Sequence, residues 1–175
     1  MYTIEEMTSF DWLEVSDIYL QGIESNLATL ETSVVTWNEW DEQHIKNGRY
    51  VAKKENKIVG FIVMSKVYYG KVFHGVAEVN IYIKEDNRGE GIGIDLMKKG
   101  IEFTDSNNIW TIQASILEEN EAGVQFFEKC GFRRVGYREK IGLDKFRLWR
   151  NIILMERRSK VIGYEGCDMK NCKLK

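Results

Sequence analysis

The residues best placed to do chemistry stand in a row, Arg88-Gly89-Glu90-Gly91-Ile92-Gly93. Glycines between a strand and a helix let backbone N–H groups converge on an anion at the positive end of the helix dipole. The segment therefore reads as a pyrophosphate cradle. Two familiar phosphate motifs fail to match it. A Walker A loop needs Lys-Ser or Lys-Thr after its glycine, and the chain continues Ile94-Asp95 instead. A dinucleotide fingerprint needs a third glycine three positions after the second, where Ile94 stands.

Just before this turn runs Gly75-Val76-Ala77-Glu78-Val79-Asn80-Ile81-Tyr82-Ile83, which reads as a strand. Strand alternation places Val79, Ile81 and Ile83 on one face and Glu78, Asn80 and Tyr82 on the other. A carboxylate and an amide on one face of an otherwise apolar strand mark that face as the wall of a cleft or the seat of a paired charge.

The elements that hold these residues follow from periodicity. Residues 10–23 place Trp12, Val15, Tyr19 and Ile23 at helical steps. Residues 50–53 and 58–65 are β-rich runs around the polar Lys54-Glu55-Asn56-Lys57, which predicts a hairpin. After the glycine turn, Ile92, Leu96, Met97, Ile101 and Phe103 form the apolar stripe of a helix, and residues 110–117 form the next strand. Asn120 opens a second helix with Ala122, Val124, Phe127 and Cys130 inward and Gly131 at its end. Residues 133–138 and 146–155 read as two closing strands.

The alternation predicts an α/β domain with a central mixed, twisted β-sheet flanked by helices, including a parallel strand pair around the central helix. One domain is expected over residues 1–157. A polar, lysine-rich tail, 158–175, follows with Val161, Ile162 and Tyr164 as its apolar anchors.

Composition narrows the function. A chain of 175 residues suits one domain. A formal net charge of −2 provides no global field for a polyanion, so nucleic acid is not an expected partner. The longest apolar runs, such as residues 58–64, fall far short of the roughly 20 residues that span a bilayer. The start, Met1-Tyr2-Thr3-Ile4-Glu5-Glu6, lacks a basic region and an apolar run, so a cytoplasmic protein is expected. Cys130, Cys167 and Cys172 lack CxxC spacing and read as reduced thiols, Cys130 as core filler. His44 and His74 share no ligand spacing with cysteine or carboxylate, and no metal is expected.

The Arg-x-x-Gly-x-Gly pattern resembles that of the GNAT acetyltransferases, with a resemblance running from residue 4 to about residue 157. The strand 76–83, the helix from Asn120 to Gly131-Phe132, and Lys145-Phe146 with Trp149 are similar to the phosphinothricin acetyltransferase-like branch, as are residues 32–37. The resemblance implies a GNAT fold and an acetyl-CoA-dependent transfer to a primary amine of a small molecule, amino-acid-like or antibiotic-like. It implies that the backbone of Arg88, Gly89, Glu90, Gly91, Ile92 and Gly93 holds the CoA pyrophosphate. Ile81, Tyr82 and Ile83 would pair with the pantetheine arm. Asn120 would touch the same arm, a role compatible with capping its helix. Glu78 matches the glutamate to which the branch assigns the base, and an amine protonated at neutral pH needs one. The other reading of Glu78 is a carboxylate paired with a neighbouring lysine or arginine. A homodimer is also implied.

The chain departs from that pattern in three places. Phe127 stands where many GNAT enzymes carry a tyrosine or histidine that protonates the leaving thiolate. A CoA thiol with a pKa of about 8.5 leaves without it at a cost in rate. Residues 67–74 lack the arginines that would hold a carboxylate, leaving Lys71 or His74 as substitutes. Trp37, Tyr68, His74 and Asn80 are the candidates for the acceptor cleft, with core packing the competing reading of Trp37 and an ordinary surface role that of His74. Asn151 replaces an aspartate, which predicts a neutral hydrogen bond in place of an ion pair. The rival functions are a non-catalytic acyl-CoA sensor, expected if the cleft is plugged, and a protein N-terminal acetyltransferase, expected if the groove is wide.

Overall fold

The computed structural model describes residues 1–67 and 71–163, so Tyr68, Tyr164, Cys167 and Cys172 lie outside the described residues. Seven strands, β1 (Thr3–Glu6), β2 (Tyr50–Lys54), β3 (Lys57–Lys66), β4 (Val76–Ile83), β5 (Thr111–Leu117), β6 (Arg133–Leu143) and β7 (Trp149–Arg158), form one sheet in the order β1-β2-β3-β4-β5-β7-β6. Helices α1 (Trp12–Glu24), α2 (Trp37–Gln43), α3 (Ile92–Ser106) and α4 (Glu121–Lys129) complete the fold. Every strand pair is antiparallel except β4 with β5, the pair that α3 connects. The sheet is therefore mixed, and its parallel pair sits around the central helix.

β3 explains why the sheet needs cover on both sides. Its Ile62 and Met64 enter one core with Leu96, Met97, Ile112 and Met155, while Phe61 and Val63 enter a second with Val15, Ile18 and Trp40. A strand buried on both faces reads as a continuous apolar run, as residues 58–64 do. α3 presses hard on this strand, for a Cβ on Gly100 would fall 2.8 Å from Ile62 Cδ1. The predicted stripe holds, with Ile92, Leu96 and Met97 buried and Ile101 and Phe103 packed at its edge.

The structure differs from the periodicity at several ends. α1 begins at Trp12, because Thr8 and Asp11 form a capping box around a 3-10 turn, and Phe10 is 96% exposed. β1 and α2 are short elements that residue spacing did not outline. β6 runs five residues beyond its predicted end and β7 starts three later. The reason is Asp144, whose Oδ1 accepts from the backbone N–H of Phe146 and of Leu148, both at 2.9 Å, and so folds residues 144–148 into the turn. β7 also runs past residue 157, and Ser159 N–H donates to Trp110 O at 2.8 Å. Among the described residues, no helix is long and apolar enough to cross a membrane.

Asp144 does more than turn the hairpin. Its Oδ2 accepts from Asn26 Nδ2 at 3.0 Å and from Arg150 Nη1 at 2.9 Å, and Lys145 Nζ donates to Glu24 O at 2.8 Å. The hairpin is thereby clipped to the chain leaving α1. These bonds, that from Asn26 foremost, pull the Asp144 carboxyl down to about 2. A carboxyl depressed in the folded state stabilises it above the unfolded value of about 3.9 and loses that contribution as pH falls toward 2. Asp144→Asn is expected to lower the melting temperature by several degrees at pH 7, with the gap to the parent narrowing between pH 4 and 2. Thermal melts across that range check it.

Candidate active site

β4 and β5 pair only where residues 76–78 face residues 111–113. Beyond that point β4 continues along β3 to Ile83, and β5 continues along β7 to Leu117, so the two strands part. The gap is a cavity of about 360 Å³, walled by residues 79–83 of β4, Ala114 to Ile116 of β5, Asn120, Phe126 and Phe127. Backbone groups on the free edge of β4 lack a strand partner there, and an extended ligand can supply one.

The cavity opens beside the start of α3. Gly89 and Gly91 have φ of +79° and +84°, which side chains other than glycine rarely adopt, and a Cβ on either would meet nothing within 4 Å. The first helical bond runs from Asp95 N–H to Gly91 O, which leaves the N–H groups of Ile92, Gly93 and Ile94 without an intrahelical acceptor. These amides and the helix dipole suit an anion. Glu90 does not oppose it directly, because its carboxylate is held by Lys54 Nζ at 2.7 Å and by Asn87 Nδ2 at 3.1 Å. Arg88 is exposed at the rim, its Nε 3.4 Å from Ile83 O. Asn120 caps α4 by accepting from Gly123 N–H at 2.9 Å while lining the same cavity.

A second cavity of about 340 Å³ shares Asn80 and Tyr82 with the first. Glu78 lines it, half-buried, with Oε2 3.5 Å from Gln113 Nε2, the outer limit of a hydrogen bond. Among the described residues, none of the ion pairs includes Glu78. Tyr82 stacks on Phe61 at 5.1 Å and meets Tyr19 edge-on at 5.3 Å. Burial pushes its phenol far above the ordinary tyrosine range, so the hydroxyl stays protonated.

A row of residues crosses the floor. His44 bridges to Ser65, Ser65 pairs with Glu78, and Glu78 pairs with Gln113. The His44 ring lies on Trp40 at 4.2 Å, with Nδ1 2.7 Å from Trp40 O. A carbonyl only accepts, so Nδ1 carries the hydrogen and Nε2 is left as an acceptor. Burial lowers the His44 pKa and keeps the ring neutral.

A model of the acetyltransferase (GNAT) family matches residues 11–132. The chain belongs to the GNAT acetyltransferase family. This GNAT chain is 33% identical over 124 residues to the Bacillus subtilis protein YwnH, provisionally named a phosphinothricin acetyltransferase, covering 68% of this chain and 76% of YwnH. It is 29% identical over 84 residues to an L-methionine sulfoximine/L-methionine sulfone acetyltransferase of Pseudomonas paraeruginosa, covering 48% of each. A phosphinothricin acetyltransferase from Sinorhizobium meliloti, solved with acetyl-CoA, shares the fold with a TM-score of 0.80 at 19% identity, over 90% of this chain and 88% of that one.

The GNAT fold brings Glu78, Asn80, Ile81, Tyr82, Ile83, Arg88 and Asn120 to the two cavities; Gly89, Glu90 and Gly91 lead into α3 at Ile92, and Gly93 faces Phe126 and Ile83 of the first cavity's wall. It does not bring Trp37 or His74 there. Trp37 packs against Trp12 at 5.7 Å and Trp40 at 5.8 Å, and Trp40 is the tryptophan that lines the second cavity. His74 is exposed before β4 begins, edge-on to Trp110 at 4.8 Å. Tyr68 lies outside the described residues. Phe127 is 7% exposed and packs against Phe126 and Phe132.

Sequence reasoning missed Tyr19, Thr29, Glu31, Ser33, His44 and Ser65 in the second cavity. One signal was available, since Thr36-x-x-Glu39 is a capping box that starts α2 and phases Trp40 and His44 onto one side. The positive φ at Gly91 gives a direct check on the cradle. Gly91→Ala is expected to cost about 1 kcal/mol in urea denaturation through backbone strain alone, with no change in core packing.

Proposed function

We propose that this acetyltransferase moves the acetyl group of acetyl-CoA directly to the primary amine of a small molecule, with both bound at once. The observation that carries the reading is that the two cavities meet at Asn80 and Tyr82, one beside a helix N-terminus with free amides, the other beside a half-buried carboxylate. The relatives' names, phosphinothricin and methionine sulfoximine or sulfone, are of small molecules bearing an amine. Family membership weighs for the enzyme over the acyl-CoA sensor.

The residues present fit acetyl-CoA, whose thioester supplies an activated acyl group. The amides of residues 92–94 and the open glycine turn suit its pyrophosphate. The free edge of β4 at Ile81, Tyr82 and Ile83 suits the amides of its pantetheine arm, and Asn120 retains its amide N–H groups for the same arm after capping α4. Glu78 takes the proton that the amine must lose to become a nucleophile. Asn80 stands at the junction, where it can orient that amine. Phe127 offers no proton to the departing thiolate, which leaves as the anion.

The protein acts in the cytoplasm as a homodimer in this reading. Support for the dimer comes from the β6–β7 hairpin, where Tyr137 and Ile141 on β6, Phe146 and Leu148 in the turn and Trp149 on β7 are 48–66% exposed.

Glu78→Gln is isosteric and cannot accept a proton. It is expected to lower kcat for thiol release by about 100-fold, with the KM for acetyl-CoA unchanged. Full activity in this variant on an amine that the parent acetylates would remove Glu78 from the base role.

A further inference from the structure

The proposed transfer sheds more protons than Glu78 holds at one time. An ammonium must lose one to become the nucleophile. After attack on the thioester its nitrogen is positive again and must lose another before the amide forms. The thiolate departs as the anion and takes neither. One ammonium and one thioester therefore give one amide, one thiolate and two protons, while a carboxylate accepts a single proton.

The sheet places a further proton acceptor two steps from Glu78. Ser65 on β3 pairs with Glu78, and His44, at the end of α2, bridges to Ser65. Residues paired across a sheet project from one face with Cβ atoms about 4.5–5.5 Å apart, and these three line the second cavity. His44 Nδ1 gives its hydrogen to Trp40 O at 2.7 Å, so Nε2 keeps a lone pair. Among the described residues neither Nε2 nor Ser65 Oγ has a hydrogen-bond partner, and neither is shut away from solvent. Gln113, on the other side of Glu78, offers only an amide, which holds no proton at neutral pH.

We infer that Glu78 removes both protons in turn and hands the first through the Ser65 hydroxyl to His44 Nε2. This rests on the proposed transfer to an amine. Ser65 Oγ takes the proton from Glu78 as its own hydrogen passes to Nε2. The hydroxyl is left unchanged, His44 becomes the imidazolium, and Glu78 is a carboxylate again when the second proton must go. A hydroxyl rotor serves either neighbour, and contacts of this kind tighten when substrate is bound. Burial foremost keeps the His44 ring neutral at the outset; Arg49, just before β2, acts the same way, and Asp41 on α2 opposes it. Glu78, Glu31 and the phenols of Tyr19 and Tyr82 line the same cavity as the ring.

The proton count separates a relay from a histidine that only packs. At pH 7 the acceptor enters as an ammonium and two protons leave, whereas at pH 9 much of it enters as the free amine and Glu78 alone suffices. Thiol release is followed at both pH values with the full chain, acetyl-CoA, and L-methionine sulfone, L-methionine sulfoximine or phosphinothricin. His44→Gln keeps a hydrogen-bond acceptor but holds no proton. It is expected to lower kcat by about tenfold at pH 7 and by about twofold at pH 9, with the KM for acetyl-CoA unchanged. Ser65→Ala is expected to show the same pattern, and Ser65→Thr, which retains the hydroxyl, to recover the rate. A loss equal at both pH values, or His44→Gln at the parent rate at pH 7, overturns the relay and leaves the base role of Glu78 standing. A pH-dependent loss in Glu31→Gln with none in His44→Gln also overturns it and gives the proton to Glu31. Absence of thiol release by the parent with all three amines, or full activity of Glu78→Gln, overturns the reading on which the relay rests.

Discussion

β4 and β5 part after residues 78 and 113, and a parting in the middle of a sheet leaves backbone donors and acceptors with no strand to satisfy them. The rest of the architecture keeps that gap open. β3 holds β4 straight through seven consecutive residue pairs, and β7 does the same for β5. α3 cannot close over the gap, because it is pinned to β3 where Gly100 meets Ile62 and Met64. The aromatic side chains of Phe126 and Phe127 line one of its walls. What remains is a slot shaped for an extended chain, with a helix N-terminus at its mouth.

Two sites of opposite electrostatic character meet along this slot. The α3 side presents unpaired amides, and Glu90, the one carboxylate in the turn, is neutralised by Lys54. The α1–α2 side presents Glu78 and Glu31 with a neutral histidine. Asn80 and Tyr82 separate them, and both are uncharged at neutral pH, Tyr82 because burial holds its proton. The Asp144 clip steadies the loop that closes the acceptor side, since it ties Asn26 and the end of α1 to the β6–β7 hairpin.

Much of this was legible in residue spacing. The alternation of β4 set Glu78, Asn80 and Tyr82 on one face, the stripe of α3 set its packing, and the glycines marked the turn between them. These signals are local, so they survive without a partner. The acceptor cavity was far less legible, because its lining comes from α1, a loop, α2, β3 and β4, and only tertiary contact joins them. Tyr19 was legible only as a residue at helical spacing, and its ring both packs on Tyr82 and forms a cavity wall. Trp37 and Trp40 differ only in helical phase, which Thr36 sets by capping α2. Asn151 was expected to make a neutral hydrogen bond; it accepts one from Lys140 N–H and also donates to the Glu118 carboxylate, a pairing an aspartate would oppose.

The account turns on the gap between β4 and β5 being where CoA lies, and amide chemical shifts report on that most directly. Titration of the ¹⁵N-labelled protein with CoA is predicted to move the amide signals of Gly91, Ile92, Gly93, Ile81 and Ile83 together and to leave those of β1 and β2 in place. Saturable CoA binding that leaves the signals of α3's first turn and of β4 unmoved would contradict it.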